Sequence, residues 1–233
     1  MTSAAKELTI PTPERQKKAL WLAFGLIAAV IIADQTLKIW VKTHFFLGEG
    51  VELTPWWVIK FIENNGMAFG LELWNKIALT IGRIVAVIFL GWALVCVCRR
   101  VRASFGLIVC IALITAGAAG NIFDCIFYGV IFNDPMPPAV ADFLPYGGGY
   151  AGWFEGRVVD MLYFPICSWT WPSWMPFVGG EEFEFFQYIF NIADSSICIG
   201  VGLLIFFYSS DATKAYETIK VQRKENAQDD GLK

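Results

Sequence analysis

Residues 105–124, from Phe105 to Asp124, read FGLIVCIALITAGAAGNIFD. No charge appears until the last position. Twenty residues of α-helix extend about 30 Å, the thickness of a bilayer core. The small residues Ala116, Gly117, Ala118, Ala119 and Gly120 allow helices to approach closely. Asn121 and Asp124 then put an amide and a carboxylate on one helix face, three residues apart. Three more apolar runs of similar length, about 19–38, 76–98 and 185–208, make four spans in all.

Composition agrees. Charged residues are 17% of the 233, against about 25% in soluble domains. Twenty Phe and ten Trp exceed what a soluble surface of this size accommodates. The net charge of −3 excludes a nucleic-acid partner recruited by positive charge, and the apolar content excludes disorder. One histidine, His44, and the absence of HExxH, CxxC and GxSxG argue against a histidine-based zinc site; no cofactor is called for. Four of the six cysteines (Cys96, Cys98, Cys110, Cys198) lie in apolar runs and read as small core or lipid-facing residues.

The first apolar run ends in Asp34-Gln35 and lacks an A-x-A site, so it reads as a span and not a cleaved signal peptide. Twelve of the eighteen basic residues lie in the tail 1–18, the loop after Cys98 and the tail 209–233. The positive-inside rule therefore puts both termini in the cytoplasm. Segments 39–75 and 130–184 face outward. Residues 51–62, rich in strand formers around Pro55, predict a β element. Trp153, Trp169, Trp171 and Trp174 in the longer loop read as an interfacial belt. The fold class is an all-α membrane protein: four transmembrane helices over 19–208, a small extracytoplasmic β element and a long outward loop. The C-terminal tail reads as a helical extension that frays.

A carboxylate inside hydrocarbon costs roughly 2.5–3.5 kcal/mol on insertion scales, so each needs a reason. Helix rise puts Asp34, Asp124 and Asp194 about 24, 33 and 30 Å above the inner boundary, in one outer layer. Asn121-Ile122-Phe123-Asp124 and Asn191-Ile192-Ala193-Asp194 repeat the pattern N-I-x-D. Two adjacent carboxylates share a proton, so one acts as base toward water and the other as acid toward a carbonyl oxygen. That is aspartyl-protease chemistry. Asn–Asp pairs also glue helices together. Paired acids equally mark proton relays, and a proton-coupled membrane transporter is the alternative; it requires acids at several depths, which the inner halves of the spans almost lack.

Five stretches resemble the lipoprotein signal peptidase (signal peptidase II) family. Asp34-Gln35-Thr36-Leu37-Lys38 resembles its D-Q-x-x-K, and Asn64-Asn65-Gly66-Met67-Ala68-Phe69 its N-x-G-x-A-F. The stretch from Gly117 to Asp124 resembles G-x-x-G-N-x-x-D, Gly156 to Met161 resembles G-x-V-x-D-F, and Phe190 to Ser195 resembles F-N-x-A-D-S. The resemblance implies an aspartyl endopeptidase of the bacterial inner membrane, acting near the outer face; a monomer is the expected state, which the sequence itself does not fix. Its substrate would be a lipid-modified prolipoprotein, met within membrane lipid and cut before the diacylglyceryl cysteine. Asp124 and Asp194 are then the expected catalytic dyad. Asn121, Asn191, Asn64, Asp34, Gly120 and Ala193 are the expected substrate-binding set, and globomycin the expected inhibitor.

Cys125 departs from the Arg that commonly follows the first motif acid in the family, and the second outward loop is longer than the family's minimum. Lys38, four residues after Asp34, reads either as its ion-pair partner or as a boundary anchor. Asp160 reads as structural, held by loop hydrogen bonds, in preference to a third catalytic acid.

Overall fold

The computed structural model describes residues 10–65 and 76–230, with side chains to 224. Its long helices are α1 (Pro13–His44), α2 (Lys76–Arg100) and α3 (Phe105–Ile131). A fourth run begins with α4 (Ile192–Leu203), passes through a π-helical stretch at Leu204–Tyr208 and continues as α5 (Ser209–Asp230). Among the described residues, four helices are long and apolar enough to cross a membrane. They keep Trp21, Phe24, Val85, Ile88, Phe89 and Phe206 exposed. Such side chains are stable facing lipid, and a helix satisfies its own backbone there.

Six short strands accompany the helices: β1 (Gly50–Thr54), β2 (Trp57–Asn64), β3 (Val158–Tyr163), β4 (Cys167–Thr170), β5 (Glu182–Phe185) and β6 (Ile189–Phe190). The expected β element is present as the β1–β2 hairpin, turning at Pro55-Trp56. It is larger than expected, because β3 and β6 from the segment between α3 and α4 extend it to an antiparallel sheet of order β1-β2-β3-β6. A separate hairpin pairs β4 with β5. The fourth helix starts at Ile192, not near 185. Phe185–Phe190 is aromatic enough to read as membrane, yet its aromatic and β-branched residues serve strands.

The chain divides into two compact units. The first contains α1 up to Ile32, Ile81–Gly120 and the described residues from Ala193. Its core gathers Ala19, Ala23, Leu94, Leu107, Ile108, Ala112 and Ala215. Within it, α3 and α4 cross at small residues: a Cβ on Gly117 would lie 2.2 Å from the Ala193 carbonyl oxygen, and one on Gly200 would lie 2.9 Å from that of Cys110. Ser196 Oγ donates to the Leu113 carbonyl at 2.8 Å beside this crossing.

The second unit holds the described residues of Ala33–Thr80 together with Asn121–Ile192. Its core gathers Val41, Phe45, Phe61, Tyr128, Phe132, Val159 and Met161. Part of the long segment after α3 folds back on the end of that helix. The N–H groups of Leu144, Tyr150, Ala151 and Gly156 donate to the carbonyls of Ile131, Phe132, Gly129 and Cys125. Gly156 passes so close that a Cβ there would sit 2.0 Å from the Asp124 carbonyl oxygen. This fold-back delivers the chain directly into β3.

Candidate active site

In the second unit, α1 and α3 each bring polar side chains to one buried point. Asp34, Lys38 and Lys42 follow the i, i+4 spacing that stacks side chains on one helix face, and Gln35 stands three residues before Lys38. Lys38 Nζ is 2.8 Å from Asp34 Oδ2, 2.7 Å from Asp124 Oδ2 and 2.9 Å from Asn121 Oδ1. Its side chain and both carboxylates are at most 1% exposed. The Gln35 amide donates to Asp124 Oδ1 at 2.8 Å, and the Tyr128 hydroxyl donates to Gln35 Oε1 at 3.0 Å. The Val159 N–H completes the set with a long contact of 3.4 Å to Asp124 Oδ2. Both oxygens of Asp124 are thus engaged by donors from α1 and β3.

The chain of contacts continues through amides. Asn191, immediately before α4, donates its side-chain N–H groups to Asp160 Oδ1 at 2.6 Å, and to Asn121 Oδ1 and the Val159 carbonyl at 3.2 Å each. Val159 and Met161 point into the core, so strand alternation turns Asp160 to the other face of β3. There Asp160 is almost fully buried, as is Asn191. Lys38, Asn121, Asn191 and Asp160 therefore form one connected polar path, with Asp34 and Asp124 at its other end.

Of the expected site residues, Asp34, Asn121, Asp124 and Asn191 share this path. Asn64 lies in the same unit, at the end of β2, paired in register with Val158. Gly120, Ala193 and Asp194 belong to the first unit. Gly120 is buried in α3, Ala193 forms the close crossing with Gly117, and Asp194 is half-buried in the first turn of α4. Gly66 to Phe69 of the second motif lie outside the described residues.

Sequence reasoning left the ionic role of Lys38 open and read Asp160 as structural; the structure shows it held by the Asn191 amide. The i+4 spacing of Asp34 and Lys38 held the first signal; the motif Gly156-Arg157-Val158-Val159-Asp160 held the second. A neighbouring charged cluster went unread. Lys42 pairs with Glu63, and Arg157 bridges Glu63 and Asp134 at 2.9 Å each. Burial works against the Arg157 charge, but its hydrogen bonds to the Glu63 and Asp134 carboxylates, and their negative charge, outweigh it and raise its pKa. The Arg157 N–H donates to the Tyr150 hydroxyl at 2.7 Å, and burial pushes that phenol well above its ordinary value. This cluster fixes Glu63, next to Asn64, and Arg157, three residues before Asp160. Cys125, where the family commonly carries Arg, is buried, and its carbonyl receives the Gly156 N–H.

Fold and buried acids together define a multi-pass membrane protein with a cluster of buried carboxylates. Residues 26–209 match the family model described as signal peptidase (SPase) II, and the chain belongs to that family of proteases. It is 49% identical over 184 residues to a lipoprotein signal peptidase of Porphyromonas gingivalis, covering 79% of this chain and 81% of the relative. A lipoprotein signal peptidase of Amoebophilus asiaticus is 34% identical over 194 residues, covering 81% and 78%. A bacterial membrane enzyme solved by the in meso method at 2.3 Å resolution is 26% identical, with a TM-score of 0.55 over 82% of this chain and 88% of that one. The resemblance drawn from five motifs is borne out, as is the four-helix fold class.

Proposed function

We propose that this chain is an aspartyl endopeptidase of the bacterial inner membrane. It removes the signal peptide from diacylglyceryl-modified prolipoproteins, cutting before the lipidated cysteine. Both termini lie in the cytoplasm and the reaction runs near the outer face. Asp194 is one of the two acids. Asp124, which the motif resemblance pairs with it, is bound by Lys38, Gln35 and the Val159 N–H, so it has little capacity to act on water. Asp160, held by the Asn191 amide at the head of the helix that carries Asp194, is then the second acid, with Asp124 as the anchor of the polar path. The observation that carries the reading is the Asn191 amide. It donates to Asp160 at 2.6 Å and lies three residues before Asp194 in the chain.

The chemistry is a proton exchange around one water. An ionised carboxylate takes a proton as the water oxygen bonds to the scissile carbonyl carbon. The second carboxyl, protonated, gives its proton to the carbonyl oxygen. The resulting diol collapses as the C–N bond breaks. The leaving nitrogen receives the proton held by the first acid, and a hydroxyl proton returns to the second. Asn191 and Asn121 hold the acids and the extended substrate backbone; Asn64, Asp34, Gly120 and Ala193 complete the substrate-binding set.

The test is in vitro cleavage of a lipidated pre-peptide by the purified protein, with and without globomycin. Wild type cuts before the modified cysteine, and globomycin stops it. Asp160→Asn and Asp194→Asn each lower the rate by roughly 10²–10⁴-fold, the worth of positioned acid–base catalysis. Asp124→Asn keeps measurable turnover. Abolished cleavage in Asp124→Asn with turnover kept in Asp160→Asn would return the second acid to Asp124. Turnover kept in Asp194→Asn would reject the dyad.

A further inference from the structure

The first unit contains an apolar groove of about 350 Å³, whose lining includes none of the acids just described. A volume of that size is in the range of small-ligand sites. Trp92 of α2, Leu107 and Ile111 of α3 and Ala215 of α5 line it, and so do Lys220 and Arg223. Both cations are exposed, and neither forms an ion pair among the described residues. They follow Tyr216 at i+4 and i+7 on one side of α5, with the Lys220 ammonium 5.8 Å from the Tyr216 ring centroid.

Hydrogen bonds fix the level of these cations. The Gln222 side chain donates to the Arg100 carbonyl at 3.0 Å, which sets the next residue, Arg223, beside the run Arg99-Arg100-Val101-Arg102. Gln16 donates to the Arg99 carbonyl at 3.1 Å, and Arg15 to that of Ala103 at 2.7 Å. The groove therefore starts among apolar side chains and ends in a basic layer, where the lipid-facing helices reach the membrane surface. Acyl chain below and phosphate above match that division, and basic pockets between membrane helices hold anionic headgroups.

We propose that this groove is a binding site for an anionic phospholipid, its acyl chain along Trp92, Leu107 and Ile111 and its phosphate between Lys220 and Arg223. The test is native mass spectrometry of the full-length protein in detergent, titrated with phosphatidylglycerol or with phosphatidylcholine of the same chains. Phosphatidylglycerol adducts persist to roughly tenfold higher activation or dilution than phosphatidylcholine adducts. Lys220→Gln with Arg223→Gln removes that preference. Ala93→Trp, which fills the groove from α2, removes binding of both lipids. Thermal unfolding of each variant reports on folding, and the double variant, confined to exposed positions, keeps the proposal testable if Ala93→Trp fails to fold. Equal retention of the two lipids overturns the proposal. So does an unchanged preference in the double variant, displacement by inorganic phosphate alone, or a protein dimer in place of lipid adducts.

Discussion

One ammonium serves two buried carboxylates: Lys38 Nζ lies 2.8 Å from Asp34 Oδ2 and 2.7 Å from Asp124 Oδ2. The three residues come from α1 and α3, so the contact ties these helices together at the depth of the candidate site. Breaking a buried pair from one side leaves an uncompensated charge, which costs more than the pair's net worth. Lys38→Met removes the ammonium that both acids share and is expected to lower stability by about 3–5 kcal/mol. Asp34→Asn or Asp124→Asn leaves Lys38 with the other acid and costs less. Thermal unfolding in detergent checks the order. The triple change Lys38→Met, Asp34→Asn, Asp124→Asn is expected to recover part of the loss; no recovery would mean that packing, not charge, makes Lys38 matter.

Asn191 gives the second prediction. Its amide meets Asp160, Asn121 and the Val159 carbonyl at once. Asn191→Ala removes the donor and lets Asp160 move; a displacement of about 1 Å costs on the order of 10²-fold in rate. Asn191→Asp is worse than alanine, since it sets a like charge against Asp160. A kcat and KM measurement on the lipidated peptide separates the cases. The loss is expected in kcat, and equal activity of the Ala and Asp variants would remove Asn191 from the path.

How far these features were legible follows from the range of each signal. Hydropathy is local, so α2 and α3 were readable from 76–98 and 105–124 alone. The same locality misplaced the start of the fourth helix. Phe185 to Phe190 has the hydropathy of a span, and only pairing with β3 and β4 shows it as strand. The β4–β5 hairpin, in a Trp- and Pro-rich loop, carried no clear alternation before its partner was known. Asp34 and Lys38 could be paired on paper because they are four apart. Asp124 could not be assigned to Lys38, since that contact spans most of the chain between α1 and α3. For Asp160, motif position pointed to importance, while its buried amide partner is a tertiary fact.

The close helix crossing supplies a third prediction. A Cβ on Gly117 would meet the Ala193 carbonyl at 2.2 Å, one residue before Asp194. The obstacle is backbone, so α4 must shift. Gly117→Ala is expected to cost about 1–3 kcal/mol of stability by overpacking and to lower kcat as the start of α4 moves. Gly82 in α2 meets nothing within 4 Å, so Gly82→Ala serves as the control. Helix propensity makes that change neutral or slightly stabilising. Unfolding temperature and cleavage rate measured on both variants check the pair, and equal effects would show that the crossing tolerates a methyl group.

The charged cluster beside the site makes the last case, and it divides by burial. Lys42 and Glu63 side chains are 3% and 4% exposed, while Arg157 is 30% exposed. Glu63→Gln removes the carboxylate from both cations. Arg157 keeps Asp134, but Lys42 is left in a cage of Phe61, Phe132 and Tyr150 rings with no carboxylate among its described contacts. The rings soften the loss through cation–π attraction, worth up to about 2 kcal/mol when desolvated. They do not replace an ion pair whose one-sided removal costs about 3–5 kcal/mol. Glu63→Gln is therefore expected to destabilise clearly, and Arg157→Gln by about 1 kcal/mol or less, as for a solvent-screened pair. Salt separates them further, because screening reaches the exposed guanidinium and not the buried ammonium. Melting curves at low and high salt should narrow the gap between wild type and Arg157→Gln and leave the Glu63→Gln gap unchanged. The reverse pattern would place the stabilising interaction at Arg157.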